Sequence, residues 1–252
     1  LYADGNWLTL ARDAYEKLLK ALPNNLAVLH LLASIYERSG DRPKSIDTYQ
    51  RMLQAAPDYE PAMHLLAMHH RADKNLDAAA AVYRTLLGKK PDDVRLQLSL
   101  ATILQTQKKL PEAVELYKKT VKQDPNNAVA YNNLAWIYAT DTKDMKAAEE
   151  LASKAAQLTE ADSAAGASIR DTLAWVFYLT ERYDKALELA RQAVEGMPGS
   201  AEVHYHLGMI YFKKNLRASA ARHLLIALRI DPDMAEKAEA SAVLDRIRQR
   251  KP

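Results

Sequence analysis

Cysteine is absent from the 252-residue chain, glycine occurs 7 times and phenylalanine twice. Without cysteine there can be no disulfide and no Cys-based zinc site. That absence suits a cytoplasmic and an exported protein equally. The scattered glycines form no phosphate-cradling loop, and no Gly-x-Ser-x-Gly nucleophile elbow occurs. No stretch approaches the ~18 consecutive apolar residues of a membrane helix, so direct membrane insertion is not expected. Nor does one charge dominate: 35 Lys+Arg stand against 32 Asp+Glu, a formal net charge of +3. A nucleic-acid binder gathers its basic residues on one face. Here they are spread along the chain, so nucleic acid is not an expected partner.

Leucine, alanine and tyrosine are plentiful, and scarce glycine with abundant alanine favours close-packed helices over sheets. The organisation is read from the prolines. Pro23, Pro57, Pro91 and Pro125 are each 34 residues apart, as are Pro198 and Pro232. Pro125 to Pro198 is 73 residues, two periods plus five. A self-similar period of this length marks a repeat architecture.

Aligning on the prolines brings other columns into register. A small residue stands at Ala33, Ala67, Ala101, Ala135, Ala174 and Gly208, and three residues on comes a bulky one, Tyr36, His70, Leu104, Tyr138, Phe177 and Tyr211. A second small column runs Ala11, Ser45, Ala79, Ala113, then Ala147 or Ala148, then Ala186 and Ala220. Tyr15, Tyr49, Tyr83, Tyr117 and Leu224 precede the proline. Apolar residues recur at helical spacing in two blocks per unit, such as Leu29, Leu32 and Tyr36, then Ile46, Tyr49, Met52 and Leu53. Small side chains let two helices approach closely, and bulky ones fill the gaps beside them. Gly40 is placed to end the first helix of its unit. The proline stops the second, and Asn24, Asp58, Asp92 and Asn126 after it suit a helix start.

These columns resemble the tetratricopeptide repeat over nearly the whole chain. The resemblance implies an all-α, right-handed solenoid of antiparallel helix hairpins with a C-terminal capping helix. Residues 1–25 read as a partial first repeat that opens on the tail of a first helix, so the expectation is a segment of a longer protein. Three regular repeats follow over 26–127 (26–59, 60–93 and 94–127). The unit 128–166 carries the extra residues, most of them in Thr159–Gly166 and one either there or in the Thr140–Asp144 turn, with a local change of stacking. Two repeats cover 167–234. Residues 235–252 form the cap, its apolar side made by Ala238, Ala242 and Leu244 and its polar end by Arg246, Arg248, Arg250 and Lys251.

The search for chemistry is negative. His64, His69 and His70 lack the i, i+4 spacing that sets two ligands on one helix face. His204 and His206, two apart, point to different sides. Glu149 and Glu150 belong to a solvated face. No catalytic residue, metal site or cofactor is expected.

What the resemblance implies instead is a concave groove lined by the first helices, where a protein or peptide partner lies. Carried onto this chain, the contact positions of the N-terminal half are His30, Ser34, Glu37, Arg38, His64, Met68, Arg71, Arg95, Ser99 and Gln105. In the C-terminal half the partner-binding set is Asn132, Asn133, Trp136, Asp171, Trp175, Tyr178, Tyr205, His206 and Met209, with Thr172 and Phe212 beside it. Trp136 and Trp175 fall at the same position of neighbouring units, where they either anchor a partner or fill hairpin packing. Asn133 stands where the family often places an amide that holds a ligand's backbone. The family's carboxylate clamp is missing, since His30, Ser34 and Leu65 occupy its positions. The strings Asn132-Asn133-Leu134-Ala135-Trp136 and Asp171-Thr172-Leu173-Ala174-Trp175 are similar to repeats of bacterial envelope and exopolysaccharide-export assemblies. The competing expectation is a homo-oligomeric platform built by stacking repeats.

Overall fold

The computed structural model describes residues 2–160 and 163–249, and side chains from Trp7 onward. Ala161 and Asp162 of the expected insert, and Arg250 and Lys251 of the expected cap, lie outside the described residues. The described residues are all-α. One compact unit ends at Leu116 and a second begins at Tyr117.

The first unit contains α1 (Tyr2–Ala21), α2 (Leu26–Arg38), α3 (Arg42–Ala55), α4 (Glu60–Ala72), α5 (Leu76–Lys89), α6 (Val94–Thr106) and the start of α7 (Leu110–Gln123). The second contains the rest of α7, then α8 (Ala128–Ile137), α9 (Met145–Gln157), α10 (Ala164–Leu179) and α11 (Tyr183–Gly196). It ends with α12 (Ala201–Lys213), α13 (Arg217–Ile230) and α14 (Lys237–Gln249). Within each unit helices pack as antiparallel hairpins, α2 with α3, α4 with α5, α8 with α9, α10 with α11 and α12 with α13, and the small columns are buried: Ala33, Ala67, Ala101, Ala135 and Ala174 are fully so, as are Ser45, Ala79, Ala113, Ala186 and Ala220. Tyr49, Tyr117 and Leu224 fill the gaps beside them, also fully or almost fully buried.

The proline signal works through a turn. Each second helix stops two residues before its proline, and the proline takes the second position of a four-residue turn. The turn closes by Asn25 N–H to Leu22 O, Tyr59 to Ala56, Asp93 to Lys90, Asn127 to Asp124 and Ser200 to Met197. Proline suits that position because its φ is already set. Asn24, Asp58, Asp92 and Asn126 therefore occupy the third turn position and are not the helix caps. The caps lie one residue later: Asn25, Asp93, Asn127 and Ser200 accept from the backbone N–H of Val28, Leu96, Ala130 and Val203. Tyr59 holds this place before α4 with no side-chain cap bond.

First helices end on a left-handed residue. Gly40 sits at φ 75°, and Lys74, Lys108, Lys143, Glu181 and Asn215 adopt 58–60°. The following N–H bonds the carbonyl of the bulky column five residues back: Asp41 to Tyr36, Asn75 to His70, Lys109 to Leu104, Arg182 to Phe177 and Leu216 to Tyr211. At Tyr138 the same carbonyl is reached from six residues on, by Asp144, because Tyr138–Thr142 winds as a single π-turn. One extra residue is thus absorbed in this turn, and Ala148 rather than Ala147 fills the small column. The other four lie between Lys143 and Glu181, where α10 starts at Ala164, three residues ahead of the repeat register.

The N-terminal expectation is corrected. Instead of the tail of one helix followed by a second, α1 is a single unbroken helix.

Candidate partner-binding site

In the first unit the carried-over positions are mostly open. Ser34, Glu37, Arg38, His64, Met68, Arg71 and Arg95 are exposed, and His30, Ser99 and Gln105 partly so. Glu37 is also used internally: its Oε1 accepts from Tyr49 Oη at 2.7 Å, His69 Nε2 at 3.0 Å and Ser45 Oγ at 3.4 Å. Desolvation by itself would raise this carboxyl. The donors more than offset it and hold its pKa below the ordinary value. The same carboxylate, with desolvation, pushes the Tyr49 phenol upward.

The second unit is arranged differently. Trp136 and Trp175, from α8 and α10, are half-buried, and His206 of α12 lies between them. The imidazole stacks on Trp175 at a centroid distance of 4.1 Å and tilts against Trp136 at 5.7 Å. Tyr178 covers the Trp175 ring at 4.5 Å, and Tyr205 leans on it at 6.0 Å. The two tryptophans predicted to share a position therefore belong to one aromatic stack spanning three successive first helices.

This stack changes the reading of the other candidates. Asn132, Asp171, Tyr205, His206 and Met209 are buried rather than displayed, and so is Thr172. The cause is size: large rings on neighbouring first helices close over the polar residues one turn away. Asn133, Trp136, Trp175 and Tyr178, with Phe212, keep part of their surface. Asn133 donates from Nδ2 to the Tyr117 hydroxyl at 3.0 Å, which fixes its amide.

Beneath the stack, His206 Nδ1 meets Asp171 Oδ2 at 2.8 Å, with side-chain exposures of 3% and 8%. Burial pulls the imidazole pKa down, but the Asp171 carboxylate more than offsets this and the net shift is upward. Two carboxylates lie near the pair and a third beside the tyrosines. Glu202 lies one turn before His206 on α12, while Glu236 and Glu239 come from the entry to α14. Glu239 accepts from the Tyr205 hydroxyl at 2.8 Å. The Tyr178 phenol, desolvated and near Glu239, is pushed up to about 12. The sequence reading missed these glutamates, although a signal was present. An oxygen acceptor stands four residues before a ring on three successive first helices: Asn132 and Trp136, Asp171 and Trp175, Glu202 and His206.

His204 points elsewhere, as its spacing requires. Its Nδ1 lies 2.9 Å from His223 Nδ1, the rings stack, and its Nε2 lies 3.1 Å from Pro198 O. Desolvation, with His204 and Arg222 nearby, lowers the His223 pKa to about 4. A group kept neutral in the fold but protonated in the unfolded chain costs stability as pH falls. The unfolding free energy is therefore expected to decline between pH 6.5 and about 4, and to decline less steeply in His223→Gln. Urea titrations of both proteins across that window measure the difference.

Among the described residues, no group of His, Asp or Glu has the geometry to hold a metal ion. No helix of these residues is long and apolar enough to cross a membrane.

Comparison with known proteins places this geometry. Family models described as tetratricopeptide repeat match residues 28–61, 64–128, 126–199 and 178–247. No curated protein matches the chain in sequence. Among solved structures, the APC/C hetero-tetramer Cut9–Hcn1 superposes with a TM-score of 0.74 at 20% identity over 96% of this chain. The present chain spans 46% of the length of that one. A tetratricopeptide repeat protein from Parabacteroides merdae gives 0.71 at 14% identity, covering 98% of this chain and 94% of its own. PilF of Pseudomonas aeruginosa gives 0.64 at 20% identity, covering 93% and 98%. At these identities the likeness concerns the fold.

Proposed function

Since the chain belongs to the tetratricopeptide repeat family, we propose that it is a non-catalytic scaffold whose second unit holds a partner protein segment on the face of α8, α10 and α12. The observation that carries this is the half-exposed ring stack of Trp136, Trp175 and Tyr178. Rings of this kind, with one edge packed and one wet, are the usual anchors of protein recognition. The fixed amide of Asn133 beside them suits the backbone of an extended segment. Asn132, Asp171, Tyr205, His206 and Met209 act from below, as the buried support that orients the rings. The assembly served is read as a bacterial multiprotein complex, on the strength of the two Asn/Asp-to-Trp strings.

Affinity capture with the chain and its Trp136→Leu/Trp175→Leu variant, followed by mass spectrometry, tests this. Leucine keeps apolar volume, and matching thermal unfolding confirms that the variant is folded. Proteins retained by the parent should be lost from the variant. Identical capture by the two would rule out the aromatic face as the binding surface.

A second reading, self-association, is favoured by α1, which leaves Trp7, Leu10 and Leu18 exposed, Trp7 to 74%, with Leu22 exposed in the turn after it. A continuous apolar face of this kind is a contact surface for another helix. Sedimentation at increasing concentration, repeated with Trp7→Ser/Leu10→Ser, distinguishes a homo-oligomer from a monomeric scaffold.

A further inference from the structure

We infer that the face of α8, α10 and α12 selects a basic partner segment, whose arginine or lysine side chains are held by Glu202, Glu236 and Glu239 with their stems against Trp136 and Trp175. This rests on the proposed binding role of that face and adds the chemistry of its ligand.

Three observations converge. The first is charge. The chain as a whole is positive by 3, yet four carboxylates gather here, and among the described residues no lysine or arginine forms an ion pair with any of them. His206 balances Asp171 and leaves the three glutamates unmatched. Glu202 is open to water at the lip of the face but walled by protein. Its carboxyl pKa is raised, chiefly by desolvation and further by Asp171 and Glu236, with His206 opposing. A cation placed there would relieve both effects.

The second is unsatisfied acceptors. Asp171 uses Oδ2 for His206, but its Oδ1 has no hydrogen-bond partner, and neither has Oδ1 of Asn132. Both residues are more than nine-tenths buried. Such unpaired oxygens beneath the rings add to the negative potential of the face, which a cation of the partner would relieve. The two stand one helical turn from Trp175 and Trp136, on the same faces as the rings.

The third is the rings themselves. A guanidinium or ammonium on an aliphatic stem matches an aromatic surface edged with carboxylates, because the stem packs on the rings while the cation meets the oxygens. Arginine fits better than lysine, since its planar fork engages a carboxylate at two points.

The test uses the full chain and fluorescein-labelled peptides of repeating Arg-Ser, Gln-Ser and Glu-Ser, read by fluorescence anisotropy. Arg-Ser should bind at least about tenfold more tightly than Gln-Ser, with Glu-Ser weakest. Its affinity should fall about tenfold in Glu202→Gln/Glu236→Gln and drop further as salt is raised. Both substitutions lie at accessible positions outside the hairpin core, and circular dichroism checks that the fold is kept. Equal binding of Gln-Ser, no binding of Arg-Ser, or Arg-Ser binding indifferent to the double substitution would each overturn the inference. If Gln-Ser binds and Trp136→Leu/Trp175→Leu abolishes it, the binding face stands and only its charge preference is lost.

Discussion

Asp171→Ala is expected to lower the unfolding free energy of the chain by about 3 kcal/mol, the scale for removing one partner of a buried ion pair. The loss does not measure an attraction alone. His206, 3% exposed and wedged between Trp136 and Trp175, would be left without the carboxylate that stabilises its charge. Losing its proton returns part of the cost, so the pH profile should change together with the stability. In the parent, His206 has a raised pKa. The stability it contributes is complete below the unfolded value near 6.5 and fades as pH rises through the folded value. In Asp171→Ala that decline above pH 6.5 should vanish. Urea unfolding from pH 6 to 9 gives both quantities. A loss below about 1 kcal/mol, or an unchanged alkaline slope, would mean that the pair does not hold the stack. Asp171→Leu combined with His206→Leu should recover much of the stability, since a packed apolar pair avoids the desolvation of two charges.

Gly208→Val is expected to cost about 2–3 kcal/mol, the range for forcing volume into a closed contact. Alanine stands in this column in the other units, so a consensus argument would favour Gly208→Ala for its helix propensity, worth roughly 1 kcal/mol. The geometry opposes it. A Cβ at 208 would lie 2.8 Å from both Cγ and Cδ2 of Leu224 and 3.2 Å from its backbone nitrogen. The Leu224 methyl could swing aside, but its Cγ and backbone could not without moving α13. Gly208→Ala should therefore be destabilising despite its propensity. Leu224→Ala, costly alone as a cavity in the core, should cost less in the presence of Gly208→Ala. A double-mutant cycle in urea measures this coupling, and additive losses would place the strain elsewhere.

Much of this architecture was legible because the repeat states it several times over. Four prolines in one phase and two in a second, five residues on, mark the helix ends, and the alanine columns mark the hairpin contacts. What a single column could not show was which residue of a pair does the work. Asn24 and Asn25 are equally good capping residues on paper, and only the proline turn decides that Asn25 caps α2. Likewise, Ala147 and Ala148 became distinguishable once the π-turn at Tyr138–Thr142 accounted for one inserted residue. The candidate site was read less completely. Matching Trp136 with Trp175 brought the right helices together, but position within a repeat does not say how far a neighbour's side chain reaches. His206 crosses to rings on two other helices, and this buries Asp171 and Asn132, which the repeat pattern alone assigns to the open groove. The pairing of His204 with His223 across the α12–α13 hairpin left no motif at all.

The left-handed turn residues have a consequence for how the molecule meets a protease. Lys74, Lys108 and Lys143 are exposed at the tips between paired helices, spaced 34 and 35 residues apart. Exposed tips are where a folded chain is nicked first. A trypsin-like enzyme would thus find its cleavage points laid out at the repeat interval, and digestion would shed pieces one repeat long. Gly40, Glu181 and Asn215 hold the equivalent places elsewhere, where the basic residue is a neighbour, Arg42, Arg182 or Lys214.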